Sequence, residues 1–233
     1  MESFLRRLKY YGLGFLIGLV FVFVFFQNRG CSWLPSNRVK NAFLDRVIVI
    51  SEDQLATLKS KGISKEDIIE VLNDGDVNFG ESITDGDLKV YKLSKDIEGK
   101  GEMDFFFTLP NESFISEVNI RAENVSEVKN STKGFGAILN YPKDDHLVFL
   151  DANAQISCKL KALGIANADS LFGVLKKTGK IDFSQTNFEE KPKAMQYLSV
   201  LSSRNQKFGI KAIWYKNKIN VVAVDTDSTI LCP

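Results

Sequence analysis

"VLNDGDVNF" at 71–79 and "VLKKTGKIDF" at 174–183 each read as the last turn of a helix, a glycine stop and the first residues of a strand. Two further pairs keep the same order: "LKSKGI" (58–63) with "LKALGI" (160–165), and "ISEVNI" (115–120) with "INVVAV" (219–224). The start-to-start offsets are 102, 103 and 104 residues. Weaker matches keep the same order, "VIVI" (47–50) with "VFLD" (148–151) ahead of the anchors, and "VYKL" (90–93) with "MQYL" (195–198) and "MDFFFTLP" (103–110) with "FGIKAIWY" (208–215) between them. One apolar match arises easily by chance, whereas several in register are the signature of an internal repeat. The pattern predicts two tandem copies of one α+β unit over 45–121 and 146–226, joined by a linker at 122–145 and followed by a tail at 227–233.

Inside the first copy, "SEDQLATLKSKG" (51–62) places Leu55 and Leu58 at helical spacing with Gly62 as the stop. "SKEDIIEVLNDG" (64–75) opens on Ser64 and carries Asp67 three residues on, the spacing of a capping box. From residue 76 the chain reads as strands: "DVNF", "LKVYKL" (88–93), "MDFFFTLP" and "FISEVNI" (114–120), divided by Gly, Asp and Pro-Asn turns. The fold class expected is therefore α+β, each copy being two short helices followed by an antiparallel sheet of three to four strands. "FGAILNY" (135–141), inside the linker, reads as a strand or as a plug between the copies.

The stretch 71–82 also resembles a calcium loop, with Asp74, Asp76 and Asn78 at alternate positions. Such a loop needs Gly at its sixth position and Glu at its twelfth, and counting from Asp74 those places hold Phe79 and Asp85. The facing stretch puts Thr178 and Lys180 opposite Asp74 and Asp76, and a lysine cannot ligate a cation. No metal site is expected.

The composition narrows the chemistry further. With 30 basic against 29 acidic residues the net charge is +1, which leaves no electrostatic footprint for nucleic acid. One histidine, His146, and three cysteines, Cys31, Cys158 and Cys232, do not make a zinc site of familiar spacing. Neither a cofactor nor a catalytic residue is assigned.

At the N-terminus, residues 10–26 carry no charge, with Arg6, Arg7 and Lys9 before them, Tyr10 and Tyr11 at the near boundary, and Gln27, Asn28 and Arg29 closing the run. This predicts an uncleaved membrane anchor over 1–30 and a juxtamembrane segment over 31–44. A cleaved signal peptide lacks its A-x-A pattern here, and a lipoprotein lacks the residues required before Cys31. Arg29, Arg38 and Lys40 balance the N-terminal cations, so orientation turns on the tighter N-terminal cluster: N-terminus cytoplasmic in a single-pass inner membrane protein, with the later domains periplasmic. Gly14 and Gly18 form a G-x-x-x-G that would allow a homodimer through this helix, or they are incidental.

"LATLKSKGISKEDIIEVLNDGDVNF", and less closely "CKLKALGIANADSLFGVLKKTGKIDFSQTNFEEKPKAMQYL", resemble the domain-of-unknown-function family numbered 4258. "GCSWLPSNRVKN" after a short apolar segment is similar to the membrane-anchored members of that family in flavobacteria. The resemblance implies a helix-then-sheet order like that of small RNase-type toxins. Members begin with Ser-x-His and carry arginines in the first helix; here Gln54 stands where the histidine falls, lysines replace the arginines, and the second copy offers Gln155 or its neighbours. The resemblance thus implies fold and anchoring and argues against nuclease activity.

Few residues remain with chemistry to offer. Cys158 and Cys232 either pair, if the domains face an oxidising compartment, or stay free, with Cys31 left over. His146 lies beside Asp144 and Asp145, and Asp225 opens "DTDST" after the last strand. Sequons at Asn111, Asn124 and Asn130 are read as compositional. Gln54, Gln155, His146 and Asp225 are the candidates for a cleft between the copies. The function expected is a membrane-anchored, non-catalytic binding or scaffolding protein of the bacterial envelope with a protein partner. The alternatives are a degenerate nuclease-like or hydrolase fold using that cleft, and an immunity-type binder of a related toxin.

Overall fold

The computed structural model describes residues 2–29, 34–128, 132–188, 190–226 and 232. Cys31, Asn130, Glu189 and the 227–229 end of "DTDST" lie outside the described residues. The chain divides into two compact units, Met1–Asn41 and Ala42–Pro233.

The first unit holds helix α1 (Glu2–Arg29) and most of α2 (Pro35–Leu44). Tyr10, Leu13, Phe15 and Phe21 of α1 are exposed. Among the described residues no helix is long and apolar enough to cross a membrane, which corrects the expected anchor over 1–30. The uncharged run 10–26 is 17 residues, at the short end of what a span uses, with Arg7 and Lys9 before it and Arg29 after it.

The second unit runs β1 (Val47–Ser51), α3 (Glu52–Ser60), α4 (Lys65–Asp74), β2 (Asp76–Ile83), β3 (Leu88–Ile97), β4 (Gly101–Pro110), β5 (Ile115–Asn119), β6 (Phe135–Asn140), β7 (Val148–Leu150), α5 (Ala154–Ala162), α6 (Ala168–Thr178), β8 (Lys180–Asp182), β9 (Gln196–Leu201), β10 (Lys207–Tyr215) and β11 (Lys218–Thr226). All eleven strands form one sheet in the order β2-β3-β4-β5-β1-β6-β8-β9-β10-β11-β7. This corrects the expected pair of tandem units with antiparallel sheets. The sheet is continuous, and it is mixed, because β1 pairs in parallel with β5 and β7 with β11.

The joint is β6, antiparallel to both β1 and β8. Two separate units would each leave an open row of backbone donors and acceptors, at β1 and at β8; one strand inserted between them satisfies both edges. Strand order is the same on either side of β6, but following the pairings across the sheet shows β7 running opposite to β1. The second half is turned over. Accordingly Val47, Val49 and Ile115 share a core with Leu160 of α5 and with Leu171, Phe172 and Leu175 of α6. Ile48 and Ile50 alternate to the other face, on the side of α3 and α4.

Local chemistry explains the recurrent segments. Ser64 and Asp67 form the capping box that their spacing predicts, and Asn167 and Ser170 form its counterpart on α6. At the ends of α3 and α5, the Ile63 amide donates to Leu58 O at 3.0 Å and the Ile165 amide to Leu160 O at 2.8 Å, and all four side chains are buried. Gly75 and Gly179 stop α4 and α6 with ordinary negative φ, so their glycines serve close approach: a Cβ would lie 2.4 Å from Val71 O at one and 2.6 Å from Leu175 O at the other. Of the residues that resemble a calcium loop, Asp74 lies 3.6 Å from Lys95 Nζ and Asn78 donates to Glu81 at 2.9 Å.

On the face opposite α3 and α4, Val125 and Val128 of the 122–128 segment pack on Val90 and Phe106. The corresponding area of the second half, on the other face of β9–β11, presents Tyr197, Ser199 and Lys211 instead.

Candidate functional site

The four residues proposed from sequence do not converge. Gln54 is buried, donating to Asn119 Oδ1 at 2.9 Å and accepting from the Ile120 amide at 2.7 Å, so both ends of its amide brace α3 against the exit of β5. Gln155 is exposed in the first turn of α5, where its backbone N–H is capped by Asn153 at 2.8 Å. His146 is exposed, with Nδ1 3.1 Å from Asp169 Oδ1. Asp225 pairs with Lys211 at 3.2 Å near the end of β11 and borders a depression of about 240 Å3 with Asp182, Tyr197 and Ser199. His146 precedes β7, whose Val148 lies opposite Ile219, and Asp225 lies six residues further along β11, roughly 20 Å away at strand rise. Cys158 and Cys232 form a disulfide, which resolves the alternative left open by the sequence.

A larger cleft, about 620 Å3, opens where the starts of β1 and β7 meet the end of β6 and the β10–β11 turn. Its walls include Arg46, Ile69, Pro142, Lys143, Leu147, Trp214 and Asn217. Arg46 is placed by its neighbours. Phe43 is fully buried, 5.9 Å from the Tyr91 ring and 5.3 Å from that of Phe107, which pins the end of α2. The Arg46 amide then donates to Phe43 O at 2.9 Å and the Val47 amide to Phe114 O at 2.8 Å, launching β1.

The Arg46 side chain donates from Nε to Ser113 O (3.2 Å), from Nη1 to Ala42 O (2.8 Å) and from Nη2 to Pro110 O (3.4 Å). Its guanidinium lies 4.7 Å over the Trp214 ring, a cation–π contact between residues far apart in the chain. Burial pulls its pKa down to about 10, with Asp45 acting in the opposite sense, so it stays charged at neutral pH. Nearby, Asp144 is engaged by Lys218 Nζ and by the His146 amide, and these contacts hold its carboxyl below the usual range.

Glu117 is the other unusual group. It is fully buried on β5, Oε1 accepts from Thr132 Oγ1, and Oε2 has no partner among the described residues. Burial raises its pKa to about 7, against the hydrogen bond from Thr132. Sequence reasoning missed Arg46, Trp214 and Glu117. Trp214 sits near the end of a strand and Arg46 just before an apolar one, positions that on sequence read as rim; only their long-range contact makes them a site. No family model, curated protein or solved structure matches the chain, so the functional assignment rests on the residues and geometry above.

Proposed function

We propose that this protein is a non-catalytic binding module that engages a partner through the Arg46 cleft. The observation that carries the reading is the guanidinium of Arg46, fixed by three carbonyls and set over the Trp214 ring in a cavity of ligand size. Arginine and tryptophan are the side chains that most often dominate binding energy at interfaces. The dispersal of Gln54, Gln155, His146 and Asp225 supports binding over hydrolysis, because acid–base work needs its groups within hydrogen-bond reach of one substrate. The Cys158–Cys232 disulfide supports an oxidising compartment outside the cytoplasm as the place of work.

Site-specific photocrosslinking in the native host tests this. A photoreactive residue at Asn217, on the cleft wall, is expected to give a discrete adduct, and one at Glu98, in the exposed β3–β4 turn, none. Equal adducts from both positions, or none from Asn217, would count against the cleft as the binding surface.

A further inference from the structure

We infer that the Arg46 cleft recognises a carboxylate carried on an apolar group; the assignment rests on the binding-module reading and specifies its ligand. A guanidinium has five N–H donors, and three of those of Arg46 are spent on Ser113, Ala42 and Pro110 carbonyls. One hydrogen on each terminal nitrogen is left. Among the described residues no carboxylate closes within ion-pair distance of Arg46, although ten such pairs form elsewhere. A desolvated cation with no carboxylate in contact carries a cost that an incoming anion offsets.

The geometry favours a carboxylate over other anions. Arginine binds planar carboxylates through paired N–H groups, and the three carbonyl hydrogen bonds, with the Trp214 ring 4.7 Å away, hold the guanidinium in place before any ligand arrives. Ile69, Pro142 and Leu147 supply apolar wall, and Lys143 adds a second cation. Asp144, the acid on the same rim, is already neutralised by Lys218. Asp45 also lies on the wall, and its field helps keep Arg46 protonated against burial.

The full chain carrying Trp33→Phe leaves Trp214 as its sole tryptophan, because the sequence has two. Its fluorescence is titrated with cyclohexanecarboxylate, the matching cyclohexanecarboxamide, and inorganic phosphate. Cyclohexanecarboxylate is expected to give a saturable change with Kd on the order of 1 mM, and the uncharged amide to bind about tenfold more weakly or not at all. Arg46→Lys keeps the charge and loses the fork, and a weakening of about tenfold is expected. Because Arg46 also holds three carbonyls, its fold is checked by circular dichroism. Should that variant not fold, the carboxylate–amide comparison on the parent decides the matter. No saturable response to the carboxylate, equal binding of the amide, or tighter binding of phosphate would overturn the assignment. An Asn217 adduct in the host together with any of those results leaves the binding-module reading standing and removes only its ligand.

Discussion

Glu117→Gln is expected to be more stable than the parent protein at pH 8 by about 3 kcal/mol, and to differ from it far less at pH 5. In the unfolded chain the glutamate ionises near its ordinary value of 4.5, whereas in the folded protein burial holds its pKa up to about 7. Between those values the unfolded state releases a proton that the folded state keeps. The folded state is therefore favoured most below pH 4.5, loses stability as pH rises toward 7, and loses no more above it. A shift of this size corresponds to about 3 kcal/mol at about 1.4 kcal/mol per unit. The environment explains the direction: the group is fully buried, its neighbour across the parallel pair is Val49, and the Thr132 hydroxyl is its hydrogen-bond partner. Glutamine keeps the shape and cannot ionise. Urea denaturation of both proteins across pH 5 to 8 measures the difference, and parallel curves throughout that range would mean that Glu117 is not held neutral.

Removing the disulfide has an effect of similar size and opposite sign. Cys158 lies on α5 and Cys232 is 74 residues further along the chain. Restraining a loop of that length in the unfolded state stabilises the native state by about 4 kcal/mol in the chain-entropy account. The native contacts are compatible with the bond, because α5 already packs beside β11, where Lys159 Nζ donates to Val224 O at 2.8 Å. Cys232→Ser is expected to lower the unfolding free energy by roughly 3 to 4 kcal/mol, and reductant to do the same to the parent while leaving the variant unchanged. Equal denaturation midpoints with and without reductant would show that the bond constrains nothing in solution.

Local features were legible in the sequence to the extent that they are set by near neighbours. The Ser64–Asp67 cap and the turn at Gly75 depend on a few consecutive residues, and both can be read from spacing. The pairing of strands is not local. Nothing in "VIVI" specifies that it lies parallel to 115–118 on one side and antiparallel to "FGAILN" on the other. Inside the expected linker, the segment that reads as a strand or a plug is β6, the strand that makes the sheet continuous, and its Gly136 shows how closely it is packed. A Cβ there would fall 2.4 Å from Phe183 Cε2 and 2.6 Å from Ile181 Cγ2. Glu117 escaped notice because alternation in "ISEVNI" assigns a glutamate to solvent, whereas its face is closed by the distant Thr132. Gln54 was singled out by analogy with a histidine, yet its amide serves as a brace. The Arg46 cleft required the fold, since Arg46 and Trp214 belong to opposite halves of the sheet.

The central claim is that residues 42–233 form one sheet whose halves depend on each other through β6. Hydrogen exchange measured against urea concentration, read separately on β3 in the first half and β10 in the second, tests this most directly. One cooperative unit predicts the same midpoint for both strands. Two independently folding units would instead expose β3 and β10 at clearly separated urea concentrations, and that result would contradict the continuous sheet and the cleft built upon it.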